Sequence, residues 1–316
     1  MRFYKFKPIY QERVWGGRGL SEKLGRSLPE GGPIGESWEI VDRPEAQSIV
    51  DGGPADGKTI RALIETDAMN VMGPNWEAQT HFPILVKWLD CQERLSLQVH
   101  PPANIAPELG GEPKTENWYV AECEADAALL VGLKDGVTRD EFDSALRNNE
   151  LEPLVQSIPT QKGLSMFVPS GRIHAIDGGN LILEIQQNSD TTYRVYDWGR
   201  IGLDGKPRQI HVEESLKSID FNDFEPKPIL PEPGAQNLVE SPVFNLEKRD
   251  IAAGESLSFN GGEEPRLVGV VSGRLIDSAD GAAIEKADNV LLPYASDFSF
   301  TAESDTVVVI TSGFGG

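Results

Sequence analysis

The sequence predicts a mainly β protein: two small antiparallel barrels in tandem, with a few short helices. Three observations carry this reading. Short apolar runs bounded by Gly, Pro, Asn or Asp recur along the chain. A proline-dense stretch, Glu225-Pro226-Lys227-Pro228-Ile229-Leu230-Pro231-Glu232-Pro233, interrupts them and reads as an extended linker. A second set of β-like runs follows it. The expected division is therefore a first domain over residues 1–225, a linker over 226–237 and a second barrel over 238–316.

In the first domain, Pro83 to Leu89 and Leu95 to His100 read as strands, as do Leu164 to Val168, Asn180 to Gln187 and Thr191 to Tyr196. In Leu95 to His100 the pleat sends Leu95, Leu97 and Val99 to one face and Ser96, Gln98 and His100 to the other. One apolar and one polar face suit a barrel wall whose polar side lines a cavity. Helical signals are fewer. Thr138-Arg139-Asp140-Glu141 has the capping-box form, and Phe142, Leu146, Leu151 and Leu154 give apolar spacing after it. Thr59 to Met69 and His211 to Ile219 are two further short helices. Beyond the linker, Phe244 to Leu246, Leu267 to Val271, Val290 to Leu292 and Val307 to Ile310 read as strands.

Composition narrows the partners. The 316 residues suffice for one large core or two ordinary ones, and 39% hydrophobic with 25% charged residues is the balance of a soluble globular protein. Lys and Arg total 29 against 50 Asp and Glu, a net charge of −21 that repels nucleic acid and anionic membranes. An anionic ligand would need local Lys and Arg to overcome that field. Two isolated cysteines, Cys91 and Cys123, exclude a disulfide framework. The N-terminus lacks the apolar core of a signal peptide, and no apolar run is long enough to span a bilayer. The expectation is a cytoplasmic protein without nucleic-acid or membrane partners.

The chemistry concentrates in two segments. Gly163, five residues, Pro169, one residue, Gly171, two residues and His174 form the spacing by which a cupin-type barrel sets a histidine on an inward strand after a tight turn. Gln98 and His100 share the polar face of an earlier strand, and Glu116 lies between the two segments. Gln98, His100, Glu116 and His174 thus make a candidate metal-ligand set, although by spacing alone Glu108, Glu112 and Glu122 compete with Glu116. Imidazole and carboxylate suit zinc, one ion per chain, and an amide ligand is the less usual addition. Counting formal charges, this set leaves bound zinc with a net charge of about +1, which favours polarising an oxygen. His81 and His211 lack such a context and read as structural. In the second barrel Pro293-Tyr294-Ala295-Ser296-Asp297-Phe298 parallels Pro169 to His174, with Phe298 where the histidine stands, so that barrel reads as metal-free.

Four ordered blocks resemble a known family. They are Tyr10-Gln11-Glu12-Arg13-Val14-Trp15-Gly16-Gly17 with Ile34-Gly35-Glu36-Ser37-Trp38-Glu39; Leu95 to Pro101 with Lys114-Thr115-Glu116; Pro169 to Ile176; and Leu183 to Trp198. The chain is similar to the type I mannose-6-phosphate isomerases of the short bacterial form, densely over residues 1 to about 220 and loosely beyond. The resemblance implies a zinc-dependent tandem cupin that interconverts mannose 6-phosphate and fructose 6-phosphate, with Gln98, His100, Glu116 and His174 on the zinc. It implies Arg194 and Lys114 as catalytic residues, Ser96 at the phosphate end, and Lys87, Glu36, Glu184 and Asp190 along the cavity, with Trp15 as a wall. The longer members carry Thr-Pro-Lys after the arginine. Here Trp198-Gly199-Arg200 and Gly205-Lys206-Pro207-Arg208 follow instead, so the second cationic phosphate contact is Arg200 or Arg208, with Arg208 slightly favoured. The large helical insertion of those members is absent, which implies a cavity more open on one side.

Such an isomerisation moves one proton between adjacent carbons and another between their oxygens, through a cis-enediol. Lys114 serves as base only if burial and cationic neighbours depress its pKa; Glu184 and a water on the metal are rival carriers. The alternatives are another metal-dependent cupin acting on a different phosphosugar, or a non-catalytic sugar-binding cupin. The phosphosugar is the expected partner, and the chain a monomer or weak homo-oligomer.

Overall fold

The computed structural model describes residues 2–315, and strands dominate it, with four short α-helices among the described residues. Two compact units emerge, neither continuous in sequence: residues 10–37 with 88–231, and residues 2–9 with 38–87 and 232–315. This differs from the expected division. Strand Tyr4–Lys5 pairs with Asn289–Leu292 of the C-terminal unit. Helix Ile60–Val71 ends there too, its Asn70 and Val71 carbonyls accepting the N–H groups of Ala295 and Tyr294, both at 3.0 Å. Such long-range pairing leaves no local trace in sequence. The later boundary does fall in the proline-dense stretch, at Pro231 and Glu232.

The unit of residues 10–37 and 88–231 holds the candidate ligands. Its five-stranded sheet runs in the order Val155–Pro159, Ala128–Leu133, His174–Ile176, Leu97–Val99, Tyr193–Tyr196. The second sheet runs Ser165–Val168, Glu116–Cys123, Asn180–Gln187, Ile84–Cys91, Ile34–Ile40, Ile9–Gly17, and the boundary between units cuts the last three of these strands. Between the sheets, Trp118, Val120, Met166 and Val168 from one pack on Leu129, Val131 and Ile176 from the other. Burying side chains of this size stabilises by roughly 1.5–3 kcal/mol each. The outer face of the five-stranded sheet, with Leu97, Val99, Ile173 and Ala175, is covered by Phe142, Leu146 and Leu216. Those residues come from helices Arg139–Asn148 and Val212–Ser218, each close to its expected place. Thr138 and Glu141 complete the capping box, and Asn149 in the left-handed region ends the helix before Leu151 and Leu154.

Gly16 and Gly35 explain the N-terminal block. A Cβ on Gly16 would lie 2.3 Å from the Gly35 nitrogen, so the two strands meet at a distance only glycine permits.

The other unit has its own core of Phe3, Leu257, Val268, Phe298, Phe300 and Val308. Phe298 opens strand Phe298–Ala302 as His174 opens His174–Ile176, and it stacks on Phe300 at 5.6 Å. No helix among the described residues is long and apolar enough to cross a membrane.

Gly16→Ala should destabilise the protein by about 1–3 kcal/mol, because relief of the clash requires backbone movement. Urea denaturation measures this, and an unchanged midpoint would mean that the strands separate there without cost.

Candidate metal centre and its cavity

Strand register assembles the site. His174 stands opposite Gln98, and Gln98 opposite Arg194, so one row across three strands presents these residues on the same face. On the facing sheet Glu116 stands opposite Gln186, and Trp118 opposite Glu184. His100, Glu116 and His174, all buried, bring their ligating atoms within 4.8 Å of one another, the single such group among the described residues.

Backbone carbonyls fix both imidazoles. His100 Nδ1 lies 2.8 Å from the Thr191 oxygen, and His174 Nδ1 lies 2.8 Å from the Arg172 oxygen. A carbonyl only accepts, so each Nδ1 carries the proton and each Nε2 presents a lone pair inward. His174 Nε2 then faces Glu116 Oε1 at 3.6 Å, and neither atom has a hydrogen-bond partner. Two buried acceptors confronting each other repel unless a cation lies between them. Burial first, then Lys114, lowers His100 to about 3, and burial likewise lowers His174. Burial works to raise the Glu116 pKa, but Lys114 and the histidines outweigh it and hold it well below the usual carboxylate range. Two neutral imidazoles and one carboxylate fit a zinc ion, and the carbonyl contacts are the outer support such ligands require.

Lys114 already meets two of these groups. Its Nζ donates to Glu116 Oε2 at 2.6 Å and lies 3.3 Å from His100 Nε2, with Glu184 Oε1 at 4.0 Å. Burial works against its charge, but Glu116 and Glu184 outweigh burial and raise its pKa above the ordinary lysine value. The depressed pKa expected of a lysine base is therefore absent here, because carboxylates rather than cations surround it. Glu184 accepts the Trp118 indole N–H at 2.9 Å.

Three arginines share Asp197 as a neighbour. Arg194 donates through Nη1 to the Gln209 carbonyl at 2.8 Å, while its buried Nε lacks a partner; burial and then Arg208 lower its pKa. Arg208, the favoured phosphate contact, is held by both oxygens of Asp197. Arg200 donates to the Arg94 carbonyl and keeps a buried Nη1 without a partner. Arg200 also lies 3.9 Å from a Glu93 oxygen.

Other expected residues are placed less centrally. Ser96 is buried one residue before its strand. Glu36 is clamped by Arg13 through both oxygens, at 2.9 and 3.1 Å. Lys87, of the other unit, is buried with Nζ 5.2 Å from the Trp38 ring centroid. Asp190 is exposed, although its charge still acts on Lys114. Trp15 packs in the core between the sheets. His81 meets the Asp42 carbonyl at 3.1 Å and His211 accepts the Arg194 backbone N–H at 3.1 Å, as structural histidines do. Sequence reasoning missed Thr191 and Arg172, because they contribute backbone carbonyls, which any residue possesses.

A family model for the type I phosphomannose isomerase catalytic domain matches residues 3–131. A probable mannose-6-phosphate isomerase, GmuF, of Bacillus subtilis (strain 168) is 38% identical over 216 residues, 67% of each chain. The mannose-6-phosphate isomerase ManA of the same organism is 34% identical over 269 residues, 80% of each. The crystal structure of the mannose 6-phosphate isomerase from Bacillus subtilis matches with a TM-score of 0.87 at 28% identity, over 99% of this chain and 100% of that one. That match gives the architecture its name, a tandem cupin.

Metal-free protein should lose stability as pH falls. His100 binds its proton at about 3 when folded and near 6.5 when unfolded, so between these values the unfolded chain holds more protons. That group contributes a loss of about 1.4 kcal/mol for each pH unit below 6.5. Urea melts at pH 7 and pH 5 should show a smaller drop in His100→Gln than in the parent; equal drops would contradict the assignment.

Proposed function

The chain belongs to the type I phosphomannose isomerase family, and we propose that this cavity holds one zinc ion and interconverts mannose 6-phosphate and fructose 6-phosphate through a cis-enediol. The protein is an aldose–ketose isomerase. The observation that carries the metal reading is the pair of confronted acceptors, His174 Nε2 and Glu116 Oε1. His100, His174 and Glu116 would hold the ion, with Gln98, which shares the His174 face, as the fourth ligand. Zinc, when bound, supplies electrophilic polarisation of the sugar oxygens.

The chain's own groups do the rest. Glu184, oriented by Trp118, takes the proton from C2 and returns it to C1. Lys114, whose Nζ lies against Glu116 and His100, donates to the sugar oxygens and carries the proton between O1 and O2. Arg194 stabilises the negative charge that develops on the enediol, worth about 3–4 kcal/mol for one well-placed donor. Arg200, with an unpartnered nitrogen, takes the phosphate, and Arg208 with Asp197 braces it. Sequence composition and charge support a cytoplasmic setting without nucleic-acid partners.

A coupled assay for fructose 6-phosphate formed from mannose 6-phosphate, on metal-stripped and zinc-restored protein, tests the reading. Turnover should return with zinc, and Lys114→Met and Glu184→Gln should each lower kcat about 10²–10⁴-fold. Zinc-loaded, folded protein that turns over no mannose 6-phosphate would move the site to another phosphosugar or to sugar binding alone.

Arg200→Ala should raise KM for mannose 6-phosphate more than Arg208→Ala does, as steady-state kinetics of the two variants will show. The reverse order would return the phosphate to Arg208.

A further inference from the structure

The turn Pro169–Arg172 touches three buried residues of the metal centre, Lys114, His100 and His174. Ser170 Oγ accepts the Lys114 backbone N–H at 2.9 Å. Gly171 donates its N–H to the His100 carbonyl at 2.8 Å, and the Arg172 carbonyl receives His174 Nδ1–H. Gly171 has φ +95, and a Cβ there would come within 3.4 Å of the Ser218 carbonyl. Arg172 itself bonds through its N–H to the Pro169 carbonyl at 3.1 Å, and the next carbonyl, of Ile173, accepts the Gly132 N–H at 2.8 Å.

The Arg172 side chain adds a second hold. The Arg172 guanidinium donates to both oxygens of Asp223 at 2.7 Å and through Nη1 to the Phe167 carbonyl at 2.6 Å. Asp223 is itself tied down, its carbonyl accepting the Leu133 N–H at 3.1 Å, and Asp220 donates its N–H to the Gly171 carbonyl at 2.9 Å. The pair is largely shielded, with side chains 15% and 18% exposed, where a two-pronged arginine–carboxylate contact resists rotation. We propose that the Arg172–Asp223 ion pair is a positioning device for the metal centre, fixing the Arg172 carbonyl and through it the angle at which His174 meets the ion. The proposal rests on the zinc reading above.

Zinc affinity of metal-stripped protein, measured by competition with a chelator, tests it alongside thermal midpoints with and without zinc. Asp223→Asn keeps size and loses the charge; Arg172→Lys keeps the charge and loses the fork. Asp223→Asn should weaken zinc about 10–100-fold, the range for outer supports of metal-bound histidine, with Arg172→Lys in between. The rise in midpoint on adding zinc should shrink in the same order. Asp277→Asn, which breaks the Arg2 pair of the other unit, should lower the midpoint and leave zinc affinity unchanged. Affinity within twofold of the parent in both Arg172→Lys and Asp223→Asn, with equal losses of midpoint for metal-free and zinc-loaded protein, would overturn the positioning role. No zinc binding by the parent protein would remove the metal reading first, and this proposal with it.

Discussion

Two backbone carbonyls, of Thr191 and Arg172, decide what the centre of this protein can do. Each takes the Nδ1 proton of a buried histidine, and so each turns an Nε2 lone pair inward. The Glu116 carboxylate meets those lone pairs in a site from which water is largely excluded. An arrangement with acceptors facing acceptors is unfavourable alone and favourable around a cation. The ammonium of Lys114 relieves one side of it, bonding Glu116 Oε2, while the His174 side stays unrelieved. Metal at the three ligands would engage Glu116 and place positive charge beside Nζ. Both effects push the Lys114 pKa down from where the structure holds it.

Charge is organised against the grain of the surface. A chain of net charge −21 repels a phosphosugar at long range, and screening limits that repulsion to about 8–10 Å at ordinary salt. Inside that distance the local balance matters. Arg194, Arg200 and Arg208 share Asp197, which binds Arg208 through both oxygens, and Glu93 lies 3.9 Å from Arg200. The surplus cation falls on Arg194 and Arg200, each with a buried nitrogen that meets no acceptor.

Much of this was legible in the sequence. Alternation in Leu95 to His100 placed Gln98 on the polar face, and register sets Gln98 opposite His174. The turn pattern before His174 matches a structure in which Gly163 and Gly171 both have positive φ. Thr138 to Glu141 gave a helix start that the structure keeps. What stayed hidden has a common cause. The grouping of residues 38–87 with the C-terminal unit depends on pairing across hundreds of positions, which local patterns do not encode. That Asp197 binds Arg208 through both oxygens was not visible in sequence, and the histidine tautomers depended on carbonyls that carry no residue identity. The lysine's surroundings were hidden too: carboxylates reach it from two strands, so its charge is reinforced rather than suppressed.

Diffraction from zinc-soaked crystals, recorded on either side of the zinc absorption edge, tests the central claim most directly. The account predicts one zinc ion per chain in contact with His100, Glu116 and His174, with Lys114 Nζ moved away from Glu116. A crystal saturated with zinc that shows no anomalous signal there, or an ion that avoids both histidines, would contradict it.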